Sequence, residues 1–125
     1  MPTPKLKIDP DESGILAKAT VRAADKLDVK GNVLAAMLGV SESSISRMRS
    51  GEFKLERGNK EFELAALFLR MYRSLDAIVG GDDHVATQWL RNENSALRAR
   101  PIEMIQSANG LVDVIHYLDS RRGPI

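Results

Sequence analysis

The sequence predicts an all-α protein. Three observations carry this. Apolar residues return every three or four positions in one stretch after another, the spacing of a single helix face. Glycines, prolines and capping residues stand between those stretches, where helices start and stop. No alternation of apolar and polar residues runs beyond a few positions, and no internal repeat is present.

Residues 1–10 hold Pro2, Pro4 and Pro10 and read as a loose arm. From Asp11, Leu16, Ala19, Ala23, Ala24 and Leu27 define a first helix to about Asp28, with Gly31 ending or following it. A shorter helix, Asn32–Leu38, follows, and Gly39 breaks it. Ser41 is an N-cap for a third helix through about Arg49, closed by Gly51. Residues 52–59 read as a polar connection. The longest helix spans Lys60–Val79, with Leu64, Leu67, Phe68, Met71, Leu75, Ile78 and Val79 as a wide apolar stripe.

Gly80-Gly81 stops that helix. Asp82 or Asp83 caps the next one, through about Asn92, with Val85, Trp89 and Leu90 inside. The loop Asn92–Arg100 leads to Pro101, suited to open a short helix that buries Ile102 and Ile105. Asn109-Gly110 interrupts. The last helix carries Leu111, Val114, Ile115 and Leu118, and Gly123-Pro124 ends it.

Composition narrows the function. The chain has 125 residues, 43% of them apolar and 28% charged. That is the balance of an ordinary globular protein, either one domain or two small ones sharing a core. It has no cysteine, which excludes disulfides, thiolate metal sites and a cysteine nucleophile. No apolar run approaches the ~20 residues of a membrane span. The opening Met1-Pro-Thr-Pro-Lys-Leu-Lys has no apolar signal core, so the expected compartment is the cytoplasm.

Catalytic and metal signals are weak: there is no phosphate loop, no GxGxxG and no nucleophile elbow. His84 and His116 are the only histidines and have no second ligand at metal spacing. The expectation is therefore no enzyme, no metal and no cofactor. Trp89 and Tyr117 read first as core or rim packing.

Net charge is +1, but its distribution is uneven. Residues 41–60 carry Arg47, Arg49, Lys54, Arg57 and Lys60 against Glu42, Glu52 and Glu56. Residues 61–83 carry Glu61, Glu63, Asp76, Asp82 and Asp83 against Arg70 and Arg73. A basic segment beside an acidic one suggests two surfaces with different partners.

The informative stretch is Gly31–Ser50. Two short helices meet at Gly39, where a residue tolerant of positive φ is needed. Ala35 faces the second helix, and Leu34, Leu38, Val40, Ile45 and Met48 supply apolar contacts. These offsets are those of a helix-turn-helix. With Ile45 and Met48 pointing inward, a turn of about 100° per residue points Ser43, Ser46, Arg47 and Ser50 outward. Short side chains let such a helix lie deep in the major groove, and Arg47 suits a bidentate contact to guanine. Glu42 can accept from a cytosine amino group. Ser41 and Ser50, with Arg49 and Lys54, suit phosphates. The competing explanation is that the serines only cap and solubilise.

Residues 60–125 lack that basic balance. Their order Trp89-Leu90, Asn94, Ala96-Leu97, Pro101, Ile105, Gly110, Val114, Tyr117-Leu118 resembles the toxin-binding domain of Xre/MbcA/ParS-type antitoxins. Leu67-Phe68-Leu69-Arg70 to Gly80-Gly81 resembles the helix that precedes it there, and the helix-turn-helix sits in the Xre position. The resemblance spans from about residue 14 to the C-terminus. One segment departs: where glycine is usual before Pro101, this chain reads Arg98-Ala99-Arg100.

The resemblance implies a lambda-repressor-like helix-turn-helix followed by a small helical toxin-binding domain. The corresponding organisation is an arm at 1–10, a DNA-binding domain at 11–57 and a dimerisation and toxin-binding domain at 58–125. It further implies an antitoxin of a type II system that binds a RES-domain, NAD-consuming toxin and represses its own operon on double-stranded operator DNA. A homodimer is expected, with its seam on the Lys60–Val79 stripe. On this reading the toxin contact falls on Arg98, Arg100, Tyr117, Asp119, Arg121, Arg122 and Ile125. Cations in the last helical turn have a simpler role as well, complementing the helix dipole. A stand-alone dimeric repressor with no toxin partner is the alternative function.

Overall fold

The computed structural model describes residues 12–122. The arm at 1–10, the end signal at Gly123-Pro124 and Ile125 lie outside the described residues. Among those described there are seven helices and no strand: α1 (Glu12–Lys26), α2 (Gly31–Leu38), α3 (Glu42–Ser50), α4 (Lys60–Ile78), α5 (Asp83–Arg91), α6 (Pro101–Met104) and α7 (Ala108–Arg121). No described helix is long and apolar enough to cross a membrane.

Local chemistry explains most of the boundaries. α1 ends before Leu27, and the chain reverses at Asp28, whose φ is +56°. Gly31 is therefore the first residue of α2 rather than a terminator of α1. Gly39, at φ +74°, closes α2, and its N–H and that of Val40 both donate to the Ala35 carbonyl. Ser41 caps α3 by accepting from the Ser44 N–H at 3.1 Å, and Gly51 ends it in the left-handed region. Asp82, not Asp83, caps α5, taking the N–H groups of His84 and Val85.

Two expected elements change. Asn109-Gly110 does not interrupt; both residues lie in the first turn of α7, which Ser107 caps through the Gly110 N–H at 3.0 Å. Glycine is required at 110 by proximity. A Cβ there would stand 2.0 Å from the Met104 carbonyl oxygen and 2.7 Å from its carbon. The end of α6 is thus pressed onto the start of α7. The 52–59 connection is also not wholly polar, because Leu55 is fully buried in it.

One hydrophobic cluster runs through the described chain, from Ala17 and Leu27 of α1 to Leu111 and Leu118 of α7. Its axis is α4, which packs chiefly on α7 and α1 and also touches α2 and α5. Phe68, Met71 and Leu75 are completely buried along it. Ala65, Leu69 and Ser74 are buried as well, so the covered surface is wider than the apolar stripe. The stripe's width is accounted for by partners on several sides within the chain, which removes it as an argument for a dimer seam. Ile78, expected inside, is 40% exposed, and Val85 of α5 is 46% exposed. The buried line of α5 runs along Ala86 and Leu90, which leaves Val85 on the flank.

Candidate functional site

Two surfaces carry the residues singled out from sequence. The first is α3. Ile45 and Met48 are buried and hold the helix to the core, together with Ser44. Ser41, Glu42, Ser43, Ser46, Arg47, Arg49, Ser50 and Lys54 are all exposed. The outward face expected from helical geometry is therefore present, bearing hydroxyls and a guanidinium.

The details divide those residues. The Ser41 hydroxyl is engaged with the Ser43 and Ser44 hydroxyls at 3.1 and 3.0 Å as well as in the cap. Ser50 donates to the Arg47 carbonyl at 3.0 Å. Arg47 donates to the Ser44 hydroxyl at 3.2 Å, with its guanidinium carbon 5.9 Å from the centre of the Phe53 ring. It lies over an aromatic face and is hydrogen-bonded within its own helix. Arg49 instead pairs with Asp25 of α1, at 2.9 and 3.1 Å through two nitrogens. Its charge is already met inside the chain.

The second surface is built by α5, α6 and α7. The loop into α6 is shaped by Asn94, whose side chain accepts from the Leu97 N–H at 2.9 Å, while its backbone bridges to Ala99. Arg98 takes φ +63°, the conformation that glycine adopts without strain. The non-glycine sequence thus keeps a glycine-like turn. Arg98 and Arg100 are exposed, and Arg100 lies 3.8 Å from Glu103.

On α7, half-buried Tyr117 stacks against Trp89 of α5, ring centres 6.3 Å apart and planes inclined 13°. Arg121 donates to the Tyr117 hydroxyl at 3.1 Å. Arg122 turns the other way, toward the Ser74 hydroxyl at 3.3 Å. Asp119 accepts from Arg70 at 2.6 Å and from Ser74 at 3.1 Å, so it fastens α7 to α4. Of the residues assigned to this surface, Tyr117 and Arg121 form one platform with Trp89, whereas Asp119 and Arg122 face α4. The roles of Ser74 and Arg70 have no local signature in the sequence; a lone serine in an apolar stripe gives no sign that it is buried.

His84 and His116 are exposed, and no cluster of described histidines or acids is placed to hold a metal ion. One carboxyl is clearly perturbed. Asp28 is held below the ordinary carboxylate range, first by its hydrogen bond with Lys30 and the charge of Lys30, and further by the charge of Arg91.

Residues 7–70 match the model of the antitoxin Xre-like helix-turn-helix domain. Residues 74–124 match the model of the antitoxin Xre/MbcA/ParS C-terminal toxin-binding domain. No curated protein matches the chain.

Proposed function

This chain belongs to the Xre-type antitoxins, and on that premise we propose that it neutralises a RES-domain, NAD-consuming toxin and represses its own operon as a homodimer. Its two halves divide the work: a helix-turn-helix for DNA and a helical domain for a toxin. The matched families are regulators, not enzymes.

The observation that carries the reading is the presence of two distinct exposed surfaces on one shared core. α3 buries Ile45 and Met48 and exposes Ser43, Ser46, Arg47 and Ser50. On α5 and α7, Trp89, Tyr117 and Arg121 form an aromatic platform topped by a cation. Aromatic and arginine side chains are what protein interfaces use as anchors. Neutralisation by sequestration needs only that such an anchor block the toxin's cleft, and a cleft that admits a dinucleotide pyrophosphate favours an approaching guanidinium. Asp119 and Arg122, fastened to α4, serve to set the angle of α7.

A single helix-turn-helix reads few base pairs, so two reader helices about 34 Å apart, or a multiple of that, supply the specificity of a repressor. Arg47 is the base reader, and Lys54 is a phosphate contact.

Co-expression with the product of the adjacent reading frame tests the proposal, with growth and cellular NAD as readouts. Restored growth and preserved NAD, with co-purification of the two chains, are expected. A neighbour that does not lower NAD, or one that is toxic but not bound, overturns the toxin assignment. Binding of the purified chain to its own upstream DNA tests the repressor half. There, Arg47→Ala should lose about 1–3 kcal/mol of discrimination at one base pair.

A further inference from the structure

A groove of about 420 Å³ runs between α1 and the C-terminal end of α3. Its charged lining is Lys18, Arg22, Asp25, Arg49 and Lys54. Ala17, Val21, Met48 and Phe53 form an apolar floor along which the long cationic stems can lie. We propose that this groove binds the DNA backbone phosphates bordering the bases that α3 reads. The proposal rests on the DNA-binding reading given above and adds α1 to the interface.

Charge is the first argument. Asp25 is the one acid among the described residues of the lining, and Arg49 occupies both its oxygens. Lys18, Arg22 and Lys54 have no acidic partner among the described residues, so the groove carries an uncompensated positive charge. Lys18 and Arg22 stand four residues apart on α1, on one helix face, where like charges repel. An anion between them relieves that repulsion, and a guanidinium with an ammonium beside it matches a phosphate's oxygens.

Continuity is the second argument. Ser50 and Gly51 belong at once to the end of the reader helix and to the groove wall. Phe53 lines the groove and also lies under the Arg47 guanidinium. The groove therefore opens beside the reading face. An α-helix with its side chains is about 10–12 Å across and the major groove about 12 Å wide, so whatever flanks a docked α3 meets the phosphate ridge. The Arg49–Asp25 pair bridges α1 and α3, which are packed on each other through the core.

The test is the Lys18→Ala/Arg22→Ala double variant of the full chain, with unfolding by urea as a check on folding. Binding is titrated at several salt concentrations on two duplexes, one from upstream of its own reading frame and one of scrambled sequence. Each phosphate contact contributes about 0.9 to the slope of log affinity against log salt. The variant is expected to lose affinity on both duplexes by the same factor, with the slope smaller by about 2. Over a fourfold rise in salt its affinity then falls about tenfold less than that of the wild type. Arg47→Ala serves as contrast, losing discrimination between duplexes with the slope kept. An unchanged slope in the double variant, with the wild type binding DNA, overturns the groove assignment alone. Loss of toxin co-purification with an unchanged slope assigns the groove to a protein partner and overturns it likewise. A wild type that binds neither duplex overturns the underlying DNA reading.

Discussion

Arg91, the last residue of α5, donates to both the backbone carbonyl and the carboxylate of Asp28, at 2.5 and 3.2 Å. Asp28 is the left-handed residue of the turn between α1 and α2. The contact joins the toxin-binding half to the start of the helix-turn-helix, 63 positions away in sequence. Lys30, which precedes α2 as its N-cap, pairs with the same carboxylate at 2.9 Å.

The depressed Asp28 carboxyl gives this turn a pH dependence. A carboxyl whose folded-state pKa lies below its unfolded value contributes stability above the unfolded value and loses it as pH falls through the folded one. The wild type should therefore lose stability on acidification below the ordinary carboxylate range. Lys30→Ala should flatten that limb more than Arg91→Ala does, because Lys30 is the larger cause. Urea midpoints across the acid range, for the three proteins in parallel, check the order.

Gly110→Ala should destabilise the chain by about 1–3 kcal/mol, the cost of forcing atoms into a closed space. The obstructing atoms are backbone, at Met104, so no rotamer change removes the clash. Gly14→Ala is the control, since nothing lies within 4 Å of its added Cβ. Equal urea midpoints for both variants would contradict the close approach of α6 to α7.

Arg98→Gly separates conformation from contact. A left-handed L-residue costs about 1–2 kcal/mol, and glycine recovers most of that less its own added chain entropy. The variant should be more stable by about 0.5–1 kcal/mol while losing any contact its side chain makes with the toxin. Higher thermal stability with weaker co-purification is the expected pair of results.

The two C-terminal arginines should differ. Arg121→Glu removes the cation from the Tyr117 platform and should abolish neutralisation at unchanged DNA affinity. Arg122→Glu touches Ser74 beside the Asp119 carboxylate and should cost stability, by about 1 kcal/mol, before it costs neutralisation. Growth under co-expression and urea denaturation, measured on each, distinguish the two roles.

The helix-turn-helix was legible because its rules are local. Gly39, Ser41, Ile45, Met48 and Gly51 each act within a turn or two of chain, and each does in the structure what its type implies. What escaped is long-range. Leu55 has only Phe53 beside it in an otherwise polar run, too few apolar residues to mark a periodicity, yet it is fully buried. Apolar spacing gave the width of the α4 stripe but not the number of elements packed on it. Arg49 looked like a phosphate ligand because Asp25, its partner, is 24 positions away. Lys18 and Arg22 lie on the exposed face of α1, where apolar periodicity carries no information. The left-handed turn at Arg98 has no signature in its own residue type; only the glycine usual there in the resembling family points to it.

The sharing of α4 has a thermodynamic consequence. The described helices hold one another through a single apolar cluster, and α4, with Phe68, Met71 and Leu75 fully buried, packs on both α1 and α7. Neither half keeps a closed interior once α4 leaves. The chain should therefore melt in one cooperative transition, seen alike by Trp89 fluorescence and by helical circular dichroism. On the proposed function, loss of toxin restraint and loss of operator occupancy then become the same event, timed by the opening of one helix.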